Sequence, residues 1–369
     1  MRIVKVNLKR NPYQIIIGTN IIKSAGKYLK RIDPGSDAYV ISNALIEKKF
    51  GKMLLKTLRD RGFGARFKLV ADTEKSKSLE TAALVIRDMT NYDKKKRIFI
   101  IALGGGVVGD LSGFVASIYK RGINYIQVPT TLLAQVDSSI GGKTGVDLSQ
   151  GKNLLGAFYQ PRLVLSDISC LKTLDARQIR AGLAEIIKYA IIKDVTLFNY
   201  LEENYREILA LNLRYLEYII HRCSLIKAKI VRKDEREEKG LRTILNFGHT
   251  VGHAIETAGG YRFYNHGEAV GLGMLSESRI SEKLGLLKAK TLIRIENLIK
   301  AVGLPQTIKK EISFEKIIQA HYHDKKFIAG TNRFALIQGI GKVKITRNVP
   351  LQVIEEAIRE RFTPKVIPE

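Results

Sequence analysis

The sequence lacks tryptophan altogether and contains only two cysteines among 369 residues. Because Cys170 and Cys223 cannot make a disulfide framework, we expect two reduced thiols in a cytoplasmic protein. No run of about 18 apolar residues occurs, so no membrane-spanning helix is expected. The first residues alternate apolar and charged side chains as a strand does, without the apolar segment of a signal peptide. These absences argue against a disulfide-rich secreted protein and against a membrane protein.

Acidic residues are also scarce, because 36 Asp and Glu oppose 62 Lys and Arg and leave a formal net charge of +26. Such a basic chain can bind nucleic acid, a membrane surface or a small anionic substrate. The sequence has no nucleic-acid-binding motif, and its basic residues are spread along the chain. Clusters such as Lys94–Arg97 and Lys309–Lys310 are typical of solvated surfaces. We therefore expect neither a nucleic-acid nor a membrane partner, and a small anionic substrate would explain part of the basic balance but far from all of it.

What is present is the composition of an ordinary globular protein, with 45% hydrophobic residues and 31 glycines. The first half alternates short apolar runs with amphipathic stretches, which predicts a parallel α/β domain. Its predicted buried strands include Ala38–Ser42, Ile98–Leu103 and Tyr125–Val128. From about Leu171 onward helical spacing dominates. The predicted helices are Gln178–Leu201, Leu213–Lys233, Gly248–Thr257, Glu268–Leu284 and Ala289–Val302, and one strand is predicted at Phe334–Ile340.

A glycine-rich turn follows the second of these strands. Gly104, Gly106 and Gly109 satisfy the pattern G-x-G-x-x-G, and a helix that starts there would point free N–H groups at a phosphate. A standard dinucleotide-binding unit would place an acid about 20 residues further on, and no acid occurs in that region. The residues therefore leave two interpretations open, a dinucleotide site of another type or a structural turn.

Two polar segments follow the strand that ends at Pro129. The first runs from Asp137 through Gly141, Gly142 and Lys143, and the second is Gly151–Asn153. Lysines beside glycines and hydroxyl groups suit an anion or cofactor pocket. The alternative is a pair of surface loops with no binding role.

A third cluster contains histidines at helical spacing. His249 and His253 are one helical turn apart, and His266 opens the next helical run. Earlier, Glu185 and Lys188 share one face of a helix. Two imidazoles and a carboxylate can hold a metal ion and leave room for a substrate oxygen, so we predict a metal or acid–base site. A rival group is His321-Tyr322-His323-Asp324, whereas His221 is expected to be an ordinary surface residue.

The predicted fold class is an α/β N-terminal nucleotide-binding domain with a parallel, Rossmann-like sheet, followed by a mostly α-helical metal-binding domain. The predicted domains are residues 1–168, the α/β domain with the glycine turn that is a candidate nucleotide site, and residues 169–369, the mainly helical domain with the candidate metal site.

Taken together, these segments resemble the 3-dehydroquinate synthase family of the sugar phosphate cyclase superfamily. The resemblance extends from about Ser42 to Lys326, with the motifs in the family's order and spacing. The motifs are Gly104–Asp110, Pro129–Thr144, Gly151–Asn153, Gly182–Lys188, Leu245–His253, His266–Glu268 and Asp324–Lys326. One departure is Asp72-Thr73-Glu74, where the family usually has Asp-Gly-Glu.

The resemblance implies a role for each of a set of residues. Zinc or cobalt would be held by Glu185, His249 and His266. NAD would be bound by Asp72, Glu74, Lys77, Gly106, Val107, Val108, Gly109, Asp110, Thr130, Thr131, Lys143, Lys152, Cys170 and Thr173. The substrate, a seven-carbon keto acid phosphate, would be bound by Arg121, Asp137, Lys143, Asn153, Lys188, Arg242, Asn246, His253 and Lys326 or its neighbour Lys325.

The activity that the resemblance implies is an NAD-mediated oxidation, phosphate elimination, reduction, ring opening and aldol closure, performed by a cytoplasmic homodimer. Two alternatives stay open. A sister sugar phosphate cyclase would act on a sugar phosphate without a carboxylate and would replace some of the cations and Asn246. A metal-dependent polyol dehydrogenase of related fold commonly has an aspartate at the position of Glu185.

Overall fold

The computed structural model describes residues 1–323 and 332–362, with the side chain of His323 left out. The chain divides into two compact units. The first contains residues 1–175 and 213–236, and the second contains residues 176–212 and the described residues from Glu237 onward. Leu213–Lys233 thus groups with the first unit, although the sequence analysis assigned it to the second domain, because this helix packs against two N-terminal strands. A functional division at residue 168 stays a prediction.

Nine strands belong to the first unit. They are β1 Arg2–Val6, β2 Tyr13–Gly18, β3 Asp37–Ser42, β4 Gly64–Leu69, β5 Ile98–Gly104, β6 Tyr125–Pro129, β7 Lys143–Leu148, β8 Gly151–Phe158 and β9 Leu163–Asp167. Seven of them form one sheet in the order β1-β2-β9-β6-β5-β3-β4. All its neighbours run parallel except the edge pair β1 and β2. The predicted parallel α/β fold is confirmed.

The helices of the chain are α1 Ala25–Ile32, α2 Ala44–Ile46, α3 Lys52–Arg59, α4 Leu79–Tyr92, α5 Gly106–Ile118, α6 Ala176–Lys193, α7 Val195–Leu209, α8 Leu213–Lys233, α9 His249–Ala258, α10 His266–Lys283, α11 Ala289–Ala301, α12 Phe314–His323 and α13 Leu351–Arg359. α1 to α5 and α8 belong to the first unit, and the others belong to the second. Within the described residues, no helix is long and apolar enough to cross a bilayer.

The centre of the sheet explains where the glycine turn lies. Every residue of β5 is buried, because apolar side chains pack on both of its faces. β6 pairs in parallel with β5, which sets Gly104 opposite Pro129. The N–H of Thr130 then donates to the carbonyl of Gly104 at 2.9 Å. The turn after β5 and the threonines after β6 therefore meet at the carboxyl edge of the sheet, where parallel folds bind their ligands.

Two local predictions differ from the structure. The predicted helix Gln178–Leu201 is two helices, because Asp194 is non-helical and its side chain accepts the N–H of Leu197 to cap α7. Of the two polar segments, Gly151–Asn153 begins β8 and Lys143 begins β7, and these strands pair as a hairpin, whereas residues 137–142 are a helical turn and a loop. The interpretation as surface loops was therefore wrong for the hairpin, which is built from backbone pairing that the polar residues do not reveal, and a binding role stays a prediction.

The second unit is mostly helical, as predicted, with a two-stranded sheet of β10 Arg333–Gly339 and β11 Lys342–Arg347. α9 and α10 pack so closely that a Cβ on Gly273 would lie 1.9 Å from the carbonyl oxygen of Gly248. A Cβ on Gly252 would likewise lie 2.9 Å from the carbonyl oxygen of Ala269. Glycine is required at these positions, and it lets the first turn of α9 pack closely against α10.

Candidate functional site

Three side chains from three helices of the second unit form a candidate metal centre. Glu185 lies in α6, while His249 and His266 are the first residues of α9 and α10. The Nε2 atoms of His249 and His266 lie 3.3 and 3.4 Å from the same oxygen, Oε1 of Glu185. One ligand atom from each residue lies within 4.8 Å of the other two. The predicted carboxylate and imidazoles therefore converge on one point.

The environment of Glu185 fits a cation. Its carboxylate is completely buried, and neither oxygen accepts a hydrogen bond of good geometry. Lys188, also buried, forms an ion pair with it one turn further along α6. Burial alone would raise the pKa of Glu185, but the charges of Lys188 and His249 outweigh it and hold the pKa well below the usual range. An ionised, buried carboxylate that faces two imidazole nitrogens is a suitable metal ligand.

The second ring nitrogen of each imidazole also has a partner. Nδ1 of His249 lies 3.2 Å from the carbonyl oxygen of Phe247, and Nδ1 of His266 lies 3.6 Å from Oε2 of the buried Glu256. Burial and then Lys188 lower the pKa of His249. Burial also acts to lower the pKa of His266, but the neighbouring carboxylates of Glu185 and Glu256 raise it to about 10. Partners at Nδ1 leave both Nε2 atoms for a metal, as in metal sites generally.

His253 lies beside this centre. Its ring centroid is 5.3 Å from that of His249 and 6.1 Å from that of His266. His253, Glu256 and His266 form a second group whose ligand atoms lie within 4.8 Å of one another. Because this group shares His266 and includes an exposed imidazole, the group around the buried Glu185 is the better metal site.

The rival group has no comparable geometry in the described part of the chain. His321 is buried in α12, with its ring centroid 5.5 Å from that of Phe334. The side chain of His323 and all of Asp324 lie outside the described residues. Lys325 and Lys326, predicted to contact the substrate, lie outside them as well.

Two further predicted substrate residues lie just before α9. Arg242 is buried, and its Nε lies 3.2 Å from a carboxylate oxygen of Glu237. Asn246 ends the same short helical segment, Leu241–Asn246. The segment therefore supplies a buried guanidinium and an amide to the second unit.

In the first unit, predicted residues from three parts of the chain meet at the buried ammonium of Lys77. It donates to Oδ2 of Asp110 at 2.6 Å and also contacts the side-chain oxygen of Asn153. Nearby, Lys152 pairs with Glu74 at 3.7 Å. Burial acts to lower the pKa of Lys77, but Asp110 outweighs it and raises the pKa. The structure thus brings together four predicted NAD-binding residues and one predicted substrate residue.

The glycine turn leads directly into α5, which begins at Gly106. Its N-cap, Gly105, has no side chain, so the first N–H groups of α5 have no side-chain cap. A Cβ on Gly104 would lie 2.7 Å from the Cβ of Val108, so this glycine is required for the turn itself. Free N–H groups at the start of a helix favour an anion such as a pyrophosphate. Val107 and Asp110 lie in this first part of α5.

The remaining predicted residues of the first unit are more dispersed. Thr130 is buried after β6, whereas Asp72 and Arg121 are exposed, and Arg121 has a positive φ of 67°. Burial raises the pKa of the Cys170 thiol, which disfavours the thiolate form that a nucleophile needs. The hydroxyl of Thr173 donates to the carbonyl of Cys170 at 2.8 Å, which shapes their segment.

Lys227, which was not predicted from the sequence, contacts the predicted substrate residue Asp137. It is buried in α8 and donates to both the side-chain Oδ1 and the carbonyl oxygen of Asp137, at 2.7 and 2.8 Å. The sequence contained a signal for this burial, because Lys227 lies on the same face of the helix as the apolar residues at positions 216, 220, 223 and 231. A lysine at a core position needs a partner. The acids behind the histidines, Glu256 and Glu277, were missed as well.

Comparison with known proteins gives consistent results. A family model described as the 3-dehydroquinate synthase N-terminal domain matches residues 68–181, and one described as the C-terminal domain matches residues 182–327. A 3-dehydroquinate synthase of Desulforamulus reducens is 43% identical over 349 residues, covering 95% of this chain and 97% of that protein. One from Pelotomaculum thermopropionicum is 44% identical over 345 residues, covering 94% and 93%.

Solved structures of sugar phosphate cyclases are also similar. A 2-deoxy-scyllo-inosose synthase, in complex with carbaglucose-6-phosphate, NAD+ and Co2+, has a TM-score of 0.89 at 26% identity and covers 98% of this chain and 100% of its own. The 2-epi-5-epi-valiolone synthase from Streptomyces hygroscopicus subsp. jinggangensis, with NAD+ and Zn2+ bound, has a TM-score of 0.86 at 27% identity, covering 96% and 98%. An iron-containing alcohol dehydrogenase, with a TM-score of 0.66 at 15% identity and coverage of 96% and 98%, shares the fold alone.

Proposed function

The chain belongs to the 3-dehydroquinate synthase family, and we propose that it converts 3-deoxy-D-arabino-heptulosonate 7-phosphate to 3-dehydroquinate and phosphate. It is then a phosphorus–oxygen lyase of the shikimate pathway, which leads to the aromatic amino acids. The observation that carries the proposal is the convergence of Glu185, His249 and His266 on one point beside the buried ammonium of Lys188. The identity of 43–44% to enzymes of this name, over nearly the whole chain, supports the same substrate.

We assign the metal to Glu185, His249 and His266 and the NAD to the first unit. The NAD residues are those around the glycine turn, the network of Glu74, Lys77, Asp110 and Lys152, and the predicted Asp72, Thr130, Thr131, Lys143, Cys170 and Thr173. When bound, a divalent zinc or cobalt ion polarises an alcohol oxygen, and NAD exchanges hydride with the carbon that bears it.

The residues of the chain bind and neutralise the substrate. Lys188 and Arg242 supply buried positive charge in the second unit, and Arg121 and Lys143 supply exposed positive charge in the first. Cations of this kind offset the charges of a phosphate and a carboxylate. Asp137 and Asn153 supply hydrogen-bonding groups, as does Asn246.

We assign proton transfer to His253. Its exposed imidazole lies one helical turn from the proposed ligand His249, and an imidazole can act as a general acid or a general base. It can therefore donate or accept a proton at a substrate oxygen. The substrate phosphate is itself a base for the proton that is lost in the elimination.

A sister sugar phosphate cyclase is the second candidate, favoured by the similarity of the solved cyclases. Their identity of 26–27% is well below the 43–44% of the 3-dehydroquinate synthases. The presence of Arg242 and Asn246 also supports a substrate with a carboxylate. A polyol dehydrogenase is less well supported, since its solved relatives share the fold at 13–15% identity.

A cytoplasmic homodimer is part of the proposal. The hairpin of β7 and β8 supports it, because large apolar side chains on the hairpin are exposed by 36–42% of their surface. These side chains are Leu148, Leu154, Leu155 and Phe158. Exposed apolar groups on one hairpin suit contact with a second copy.

Two substrates test the proposal. The purified protein, supplied with NAD and Zn2+, is expected to release phosphate from the seven-carbon keto acid phosphate and not from glucose 6-phosphate, which has no carboxylate. Turnover of glucose 6-phosphate alone would favour the sister cyclase. His249→Ala is expected to abolish activity and metal content together, and survival of both would contradict the metal assignment.

A further inference from the structure

Glu277 is a buried acid in α10 to which the proposed chemistry gives no role. Its side chain has no solvent exposure. One carboxylate oxygen accepts the backbone N–H of Gly248 at 2.7 Å. The other accepts those of Thr250 and Val251 at 3.0 and 3.2 Å. A carboxylate from one helix therefore caps the first turn of another.

The start of α9 needs this carboxylate. Its N-cap residue, Gly248, has a φ of 79° and no side chain, so no local group caps the helix. Thr250 and Val251 are buried, and an N–H group buried without an acceptor is costly. A negative charge at a helix N-terminus is also favourable.

The cap is linked to His249 through a single peptide group. The N–H of Gly248, which donates to Glu277, and the carbonyl of Phe247 belong to the same planar unit. That carbonyl lies 3.2 Å from Nδ1 of His249, and Nε2 of the same ring lies 3.3 Å from Glu185. Fixing the N–H side of this peptide therefore also fixes the carbonyl that holds the ring.

We propose that Glu277 is a positioning residue for the metal ligand His249, which it holds through the Phe247–Gly248 peptide. The inference rests on the proposed metal site. The carboxylate orients the peptide so that its carbonyl accepts the proton of Nδ1, and this leaves the lone pair of Nε2 directed at the metal. Hydrogen bonds in series polarise one another, so the carboxylate also makes the carbonyl a better acceptor.

Glu277→Met and Glu277→Gln test this role in the full-length protein. Glu277→Met loses all three hydrogen bonds. Glu277→Gln keeps one acceptor oxygen, but its NH2 group then faces a backbone N–H that needs an acceptor. We expect the Zn2+ dissociation constant, measured by competition with a chelator, to rise about 10- to 100-fold in Glu277→Met. The rise should be smaller in Glu277→Gln, which carries the test if Glu277→Met does not fold.

The visible spectrum of Co2+ bound to the same proteins is the readout that a purely structural cap would not change. Because this spectrum reports ligand geometry, we expect altered band positions or intensities in both Glu277 variants. An unchanged spectrum together with an unchanged Zn2+ dissociation constant would overturn the inference.

Three controls separate positioning from other effects. Ser276→Ala removes an equally buried side chain whose hydroxyl donates only within α10, to Leu272 at 3.0 Å, and should leave metal binding unchanged. Ile354→Val in α13 is expected to lower stability without touching the metal site. If it weakens metal binding as much as the Glu277 variants do, stability alone accounts for the effect and the inference is overturned.

His249→Ala should lose the metal. If it binds Zn2+ as tightly as the unaltered protein, the proposed metal site fails and the inference fails with it.

Discussion

Lys227 illustrates how a single buried charge can organise a site. Its ammonium is almost fully buried and donates to the side chain and the backbone carbonyl of Asp137. A buried ammonium without such acceptors would be strongly destabilising, so the two residues hold one another in place. Asp137 is a proposed substrate residue, and Lys227 therefore fixes its position.

Replacing Lys227 with Met is expected to lower kcat/KM about 10- to 100-fold, the kinetic equivalent of the ~1.5–3 kcal/mol of a charged hydrogen bond. Metal content should not change, because Asp137, to which Lys227 donates, is not one of the proposed metal ligands. Steady-state kinetics and metal analysis measure the two quantities. Lys229→Met, on the exposed face of the same helix, is the matched control and should retain full activity. Equal activity of both variants would contradict this role.

At the scale of residues, the sequence predicts what depends on residue type and local spacing. His249 and His253 stand one helical turn apart, and the family motifs supply the roles of Glu185 and His266. The structure adds residues whose partners are far away in sequence. Glu277 is 29 residues from Gly248, and Lys227 is 90 residues from Asp137. No local pattern reveals such pairs before the helices are packed.

At the scale of elements, α13 is attached to α10 by ion pairs at the surface. Arg279 donates to Glu360 at 2.7 Å, and Lys283 donates to Glu356 at 2.8 Å. Burial acts to raise the pKa of Glu360, but the hydrogen bond from Arg279 outweighs it and lowers the pKa. A carboxyl group whose pKa is lowered by folding stabilises the protein above its unfolded pKa of about 4.3. That contribution is lost as the pH falls through the lowered folded-state value.

Glu360→Gln is therefore expected to reduce the free energy of unfolding by about 0.5–1 kcal/mol near neutral pH, because the pair is partly exposed. At about pH 2, where carboxyl groups are protonated, the variant and the unaltered protein should differ little. Thermal unfolding at the two pH values measures the difference. If the two proteins differ in stability as much at about pH 2 as at neutral pH, the ion pair is not the cause of the difference.

Elements with a clear apolar pattern could be predicted, and those built on polar residues could not. The buried strand β5 and the amphipathic helix α8 lie where the sequence places them. The division of α6 from α7 depends on one capping side chain, Asp194, inside an otherwise helical pattern. The hairpin of β7 and β8 has glycine, lysine and asparagine at its start, residues that are more typical of loops.

At the scale of the whole molecule, the same hairpin links the proposed homodimer to the proposed site. It carries Asn153 and Lys152 in addition to the exposed Leu154 and Phe158. Phe158→Lys is expected to shift the protein from dimer to monomer, because it puts charge into an apolar contact. Sedimentation equilibrium measures the change. Ile293→Lys, at another exposed apolar residue in α11, is the control, and a dimer that persists in Phe158→Lys would exclude this surface.

The net charge of +26 is a second property of the whole chain. The cations proposed to bind the substrate are few, so an anionic substrate explains only a small part of it. Most of the basic residues in the described part of the chain are exposed to solvent.

The central claim is that the chain eliminates phosphate from a seven-carbon substrate while NAD ends unchanged. The most direct measurement follows released phosphate and accumulated NADH in the same reaction, with the purified protein, that substrate, NAD and Zn2+. We expect many phosphates to be released per protein molecule and no net NADH to form. NADH that accumulates in proportion to product would identify a dehydrogenase and contradict this claim, as would the absence of phosphate release.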